Sequence, residues 1–280
     1  MKYKYILLTF LLFLISCGEN VEQKGEKRLI LAQQAFQNKD YNEAKLQIDS
    51  IKILYPKAFE ARRAGIKLMQ EVELEEQNIS LIYLDSIHQV KEEEFQACKN
   101  KFTFEKDEEY QTIGNYFWPT QTVERNLKRS YLRFQVSELG VLTMTSFFNN
   151  TYNINHTKVR VTAPDGSFAE TPTSKDCYQT TDLGRKIEQA SFTIKEDGDV
   201  VGFIAMNKDK RLKVTYFGDR NFEYDMQAND KEAAYQIYQL HKILAAIQQI
   251  EEERKEAKLK IEFVSRKIRE REEKELNLTN

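Results

Sequence analysis

The chain has 280 residues, of which 41% are hydrophobic and 31% charged, and its formal net charge is −2. That is enough apolar material for one large core or two modest ones, while the near-neutral, slightly acidic balance excludes a general attraction for nucleic acid or anionic surfaces. Three cysteines are too few for a disulfide-stapled fold, and the numerous charges suit long helices with a wet face.

The first sixteen residues carry Lys2 and Lys4, then the apolar run Ile6 to Ile15. A positive start and about ten apolar residues make a secretory leader, too short to span a bilayer of about 30 Å. Leu14-Ile15-Ser16-Cys17 resembles a bacterial lipobox. The resemblance implies cleavage before Cys17, diacylglycerol and palmitate-type acylation there, and an outer-membrane lipoprotein facing the periplasm or the cell surface. Two or three acyl chains anchor a protein almost irreversibly, because each buried methylene contributes about 0.8 kcal/mol. Loss of the leader, with its two lysines, takes the net charge from −2 to −4.

Residues 17–27 are polar and read as a lipidated tether. Leu29, Ile30, Ala32, Ala35 and Phe36 then mark a helix, Asn38-Lys39-Asp40 a turn, and Tyr41, Ala44, Ile48, Ile51 and Leu54 a second helix ending at Pro56. Tyr41, Ala44 and Pro56, with Leu31, Ala32 and Ala35, resemble a single tetratricopeptide repeat over about residues 25–56. Arg28 and Ala32 depart from that pattern, and a helical hairpin packed on its neighbours accounts for the same residues.

From Ala58 to Cys98 the spacing predicts a helix about 60 Å long, with Ala61, Ala64, Leu68, Val72, Ile79, Ile82, Ile87 and Val90 on its apolar face. The last quarter, from Asn229, predicts another about 70 Å long. Its seam is Leu240, Ile243, Ile247, Ile250, Ala257, Ile261, Val264 and Ile268, interrupted by Arg254. So narrow a seam needs a partner helix. The two segments are expected to pair antiparallel as a stalk, residues 229–280 packing on 58–98, or to form a coiled-coil homodimer in place of a monomer.

Between them, residues 99–228 hold seven of the ten glycines and three of the four prolines, and the period changes to two. Leu132-Phe134-Val136, Val159-Val161, Ala190-Phe192-Ile194, Leu212-Val214-Tyr216 and Phe222-Tyr224-Met226 alternate with polar residues. With turns at Asp165-Gly166 and Asp197-Gly198, this predicts an antiparallel sandwich or open barrel of about seven to nine strands. Asn229 and Glu232 have the spacing of a helix capping box. The expected class is therefore α+β, with a β head inserted between two stalk helices.

No phosphate loop, nucleophile elbow or paired-cysteine metal motif is written in the chain. His88, His156 and His241 are isolated in sequence. His88 and His241 could meet only through the helix pairing, and Cys98 and Cys177 could pair only if the fold brought them together. Glu196-Asp197-Gly198-Asp199 lacks the closing carboxylate of a calcium loop and reads as a solvated hairpin turn. Neither metal nor cofactor is expected. Among the aromatics, Phe117, Trp118 and Phe148 read as core, whereas Tyr152, with Asn153 and Asn155 in an Asn-rich loop, is a candidate binding surface for a protein anchor or a sugar ring. Asp49-Ser50-Ile51 and Asp85-Ser86-Ile87 resemble the O-glycosylation signal of Bacteroidetes periplasmic proteins. The expected function is a non-enzymatic envelope scaffold with a protein partner; a glycan-binding head is the alternative and a hydrolase a remote one.

Overall fold

A computed structural model describes residues 20–279 of the chain, so the expected leader and Cys17 lie outside the described residues. The class is α+β: six helices and two antiparallel sheets among the described residues. Two compact units are present among the described residues, 20–85 with 253–279, and 86–252. The division falls inside the two long helices. It does not fall at residues 98 and 229, where the sequence period changes, because the last turns of one helix and the first turns of the other pack into the core of the sheet unit.

In the helical unit, Asn20 opens helix α1 (Val21–Gln37): its side chain accepts from the Glu22 N–H, and Gln23 reaches back to the Asn20 N–H. The helix thus claims residues 21–27, which the sequence assigns to a tether, because the Asn20–Gln23 capping box starts it at Val21. Lys39, with φ 61°, turns the chain into α2 (Tyr41–Leu54), where Asp40 accepts from the Glu43 N–H. Small residues let the helices approach: Ala32, Ala35 and Ala44 form one cluster with Ile48, Leu68 and Val72. Gly25 lies against Ala58 and Ala61 with no room for a Cβ.

Helix α3 (Phe59–Cys98) buries Ala61, Gly65, Leu68, Val72 and Leu84. Its expected apolar face fails beyond Val72, for Ile79, Ile82 and Val90 are exposed and Leu84 takes the inward place. The last helix (Ala228–Thr279, termed α6 below) holds its seam. Leu240, Ile247, Ile250, Ala257 and Val264 are buried, Leu244 joins them, and Ile243, Ile261 and Ile268 are partly covered. The charged interruption has a purpose: Arg254 Nε donates to Asp85 Oδ1 at 2.7 Å. Further along the same line Arg271 donates to Gln70, and Lys67 Nζ meets Glu275 at 2.6 Å. Within the sheet unit, His88 on α3 faces Glu251 on α6 at 3.5 Å. Asn229 is not the cap of α6. The Gln227 carbonyl already accepts from Asp230 and Lys231, and Glu232 instead binds Lys208 and Gln236.

The sheet unit contains ten strands among the described residues, one more than the largest expected number. A six-stranded sheet runs β1 (Thr103–Glu105), β2 (Asn115–Phe117), β3 (Tyr131–Ser137), β4 (Leu142–Asn150), β8 (Arg185–Thr193) and β7 (Asp176–Asp182). A four-stranded sheet runs β10 (Phe222–Asp225), β9 (Lys213–Phe217), β5 (Lys158–Thr162) and β6 (Phe168–Glu170). A short helix α4 (Val123–Asn126) precedes β3. Because β4 pairs with β8 while β5 pairs with β6 and β9, the chain leaves the first sheet, returns, and leaves again. The second departure explains why Asp197-Gly198 is not a hairpin. Lys195, Gly198 and Asp199 adopt positive φ, the buried Asp197 accepts from the Asp199 and Val201 N–H groups, and helix α5 (Val200–Met206) follows. By contrast, Asp165-Gly166 does join β5 to β6.

Period-two residues from both sheets meet in one core. Leu132, Phe134, Met144 and Phe148 come from the first, Val159, Val161, Val214 and Tyr216 from the second, with Ile204 of α5 and Ile237 and Leu240 of α6. Gly140 fixes the β3–β4 turn to α6. Its φ is +75°, its carbonyl accepts from His241 Nδ1 at 2.6 Å, and a Cβ would collide with the Ala245 backbone. Gly140→Ala is therefore expected to cost about 2–4 kcal/mol, combining left-handed strain with an overlap that backbone cannot relieve; denaturant unfolding of the chain measures it.

Candidate functional site

Three residues that are far apart in sequence converge between the sheets. Ser146 lies on β4 between Met144 and Phe148, and Glu188 on β8 two places before Ala190. Both therefore take inward positions in otherwise apolar alternations. His156 sits in the loop that leads into β5. Ser146 Oγ is 2.8 Å from His156 Nε2, and His156 Nδ1 is 3.1 Å from Glu188 Oε2. This hydroxyl–imidazole–carboxylate chain has the connectivity of a nucleophilic triad.

The electrostatics define its protonation. Glu188 accepts backbone N–H groups from Ile154 (2.7 Å), Asn155 (3.1 Å) and His156 (3.1 Å). Burial pushes the carboxyl up, but the Asn155 and His156 amides, the imidazole and the Ile154 amide outweigh it and hold Glu188 below the usual carboxylate range. Burial holds His156 below the ordinary histidine value, against the pull of Glu188. An ionised Glu188 only accepts, so Nδ1 carries the proton of a neutral imidazole and Nε2 accepts from the Ser146 hydroxyl. That hydroxyl also lies 3.1 Å from the Ala190 carbonyl.

Access decides what this arrangement can do. Ser146, His156 and Glu188 are 0%, 2% and 1% exposed. The imidazole stacks on Tyr216 at 4.7 Å and 12°, with Phe148 set against it edge-on at 6.4 Å. A reacting carbonyl has nowhere to approach Oγ. The network pins the loop from Ile154 to His156 onto β8.

The sequence-derived surface lies on that same loop. Asn153 Nδ2 donates to Gln179, Gln179 Nε2 donates to Asn155, and Asn155 Nδ2 donates to Asp219 at 2.6 Å. The amides of Asn153 and Asn155 are thus engaged with one another's neighbours. Tyr152 is exposed, but its ring carries the Arg220 guanidinium at 4.5 Å and touches Phe148. Asn155, with φ 54°, holds the turn that presents its own N–H to Glu188. As expected for core aromatics, Phe117 and Phe148 are buried and Trp118 packs against the core.

Two other surfaces of this unit stand open. A groove of about 530 Å³ is lined by Gln135, Thr143, Thr145, Ser174, Ser191 and Thr193, toward the far ends of β4 and β8 from Tyr152. Strand β7 forms one edge of the six-stranded sheet, and its residues 177–181 are uncharged. Cys177 on that edge is exposed and unpaired, while Cys98 is half-buried and donates to the Phe95 carbonyl. His88 and His241 do not meet: one faces Glu251 and the other Gly140. Among the described residues, no three His, Cys, Asp or Glu side chains are grouped to hold a metal ion. No protein-family model, no curated protein and no solved structure matches this chain.

Proposed function

We propose that this chain is a lipid-anchored envelope protein whose sheet unit binds a partner protein by strand addition along β7. The carrying observation is that edge. Seven residues, Asp176–Asp182, end the sheet with one row of backbone N–H and C=O groups turned away from β8, and Tyr178 is 59% exposed. Natural sheets blunt such edges with lysine, proline or a covering loop, and an uncharged run invites an added strand. The sealed Ser146–His156–Glu188 network supports binding over catalysis, since its donors and acceptors are spent within the fold. Anchoring at Cys17, outer-membrane placement, a two-helix stalk from α3 and α6 and a sandwich of the two sheets complete the reading. The Arg254–Asp85, Lys67–Glu275 and His88–Glu251 pairs support the stalk.

The variant Tyr178→Lys with Thr180→Lys places two charges on one face of the edge strand and leaves the core untouched. Crosslinking in intact envelopes is expected to yield a species with the wild-type chain that the variant loses by about tenfold, equivalent to about 1.4 kcal/mol. Equal recovery from both removes β7 as the contact. A second reading, glycan binding, is favoured by the groove, where hydroxyls and an amide sit among Lys175, Asp176, Lys195 and Glu196, rather than by Tyr152. A glycan array that is unaffected by Thr145→Val together with Thr193→Val would exclude it.

A further inference from the structure

We propose that the anchor-side end of the helical unit is itself a membrane-docking face, which inserts Ile53, Leu54 and Phe59 between anionic phospholipid headgroups whose phosphates pair with the neighbouring cations. This rests on the lipid-anchor reading above and deepens it.

The chain geometry comes first. Cys17 precedes Val21, the first residue of α1, by four positions, a reach of at most about 14 Å. Glu22 Oε1 accepts from the Ala61 N–H at 2.7 Å, so α1 begins beside the first turn of α3. The end of α2 and the start of α3 flank that point, joined by the short turn through Pro56. Lys67–Glu275 brings the last turns of α6 to the same end. A bilayer holding acyl chains on Cys17 therefore lies within reach of this end.

The surface chemistry of that end matches. Ile53, Leu54 and Phe59 are 73%, 55% and 68% exposed, three large apolar side chains bracketing one turn. Single exposed apolar residues are ordinary; three within seven residues at the helix end nearest an anchor supply the side chains that enter an interface. Beside them, α3 and α6 enclose a groove of about 470 Å³ where Arg63, Lys67, Lys267, Arg271 and Lys274 face Glu270 and Glu275. Lys67 pairs with Glu275, Lys267 with Glu270 and Arg63 with Glu60, and the groove's surplus of positive charge is its five basic side chains against two carboxylates. Arg271 Nε is buried there without a hydrogen-bond partner. That local surplus in the groove stands in a chain of net charge −2. The overall charge predicts indifference to anionic lipid; the local field predicts attraction, which falls off within about 10 Å and is felt only where the anchor holds the surface close. An acyl anchor and a basic, apolar-tipped face are the two signals that together fix orientation.

The experiment uses the full chain purified from membranes and reconstituted into nanodiscs of phosphatidylcholine alone or of its equal mixture with phosphatidylglycerol. Hydroxyl-radical footprinting reads side-chain exposure, with Leu46 and Leu259, exposed elsewhere on the unit, as internal controls. Oxidation of Ile53, Leu54 and Phe59 is expected to fall at least about threefold in the anionic discs and to recover in molar salt, as short-range attraction to anionic lipid requires. The charge-reversed variant Arg63→Glu with Lys274→Glu, unchanged in its far-ultraviolet circular dichroism, should lose the phosphatidylglycerol dependence. Equal oxidation in both discs, or an undiminished response in the variant, overturns the proposal. The mass of the N-terminal peptide in the same digest reads acylation of Cys17 directly, so an anchored chain without a lipid-dependent footprint and an unanchored chain that keeps one are separate results.

Discussion

Replacing Glu188 with alanine is expected to lower the stability of the sheet unit by about 3–5 kcal/mol, because it strands three backbone N–H groups and an imidazole in a dry core. For a unit of this size the fall in melting temperature is on the order of 10 °C, read by calorimetry or denaturant unfolding. Glu188→Gln keeps the volume but turns an amide N–H toward donors, and should recover only part of the loss. The same network sets the response to pH. Both His156 and Glu188 are held below their ordinary values, so in each case the unfolded chain binds the proton more readily. Stability is therefore complete above the ordinary histidine value. It falls as the pH drops from there toward the depressed His156 value, and falls again through the carboxylate range toward that of Glu188. In Glu188→Ala the carboxylate-range portion of that slope should shrink, leaving the share of Asp165, Glu170, Asp225 and Glu232, which are also held low. An unchanged slope would show that Glu188 is not the ionised centre of the network.

The second large effect is expected at Asp230. This buried carboxylate, in the first turn of α6, takes both terminal nitrogens of Arg129 at 2.5 and 2.6 Å and the Gln121 side-chain amide at 3.0 Å. Gln121 in turn binds the Leu132 carbonyl and the Phe134 N–H of β3. The cluster fastens the helix start to the sheet through side chains that would be uncompensated if Asp230 were lost. Asp230→Ala should cost about 3–5 kcal/mol. The double variant Asp230→Ala with Arg129→Ala should cost less than the two single effects together, because it also removes the orphaned cation. Additive losses in the double-mutant cycle would mean that the pair does not act as a unit.

Neither cluster was written as a motif, although each left a trace. Glu188 stands at an inward position of the strand that continues through Ala190 and Phe192, and Ser146 stands between Met144 and Phe148. A charged or hydroxyl residue on the apolar side of an alternation must be paired, and extending the Ala190-Phe192 alternation by one step shows that need at Glu188. It would not have shown the partner. His156 reaches both residues only because the chain crosses between sheets after β4, a long-range decision that local period cannot encode. The candidate loop Tyr152–Asn155 was found for its composition. The structure gives that composition another use, linking Asn153, Gln179, Asn155 and Asp219 into a clasp.

Most of the seam of the last helix was legible, Arg254 included and Leu244 missed, since a 3.6-residue period declares which side is covered. So were the core strands from Leu132, Val159, Ala190, Leu212 and Phe222, since period two declares one wet and one dry face. The burial of Leu84 in place of Ile79 and Ile82 was not legible, because α3 carries apolar residues on more than one side and only its neighbours choose among them. By itself, then, the sequence determined the α+β class, the long helices, most of the core strands and the dry faces of the last helix and those strands, all of which follow from local periodicity. Tertiary structure alone decided the strand order, the sheet crossing at Asp197, the meeting of Ser146, His156 and Glu188, and the gathering of cations beside Phe59. Those depend on which distant segments share a surface, and nothing local in the chain records that.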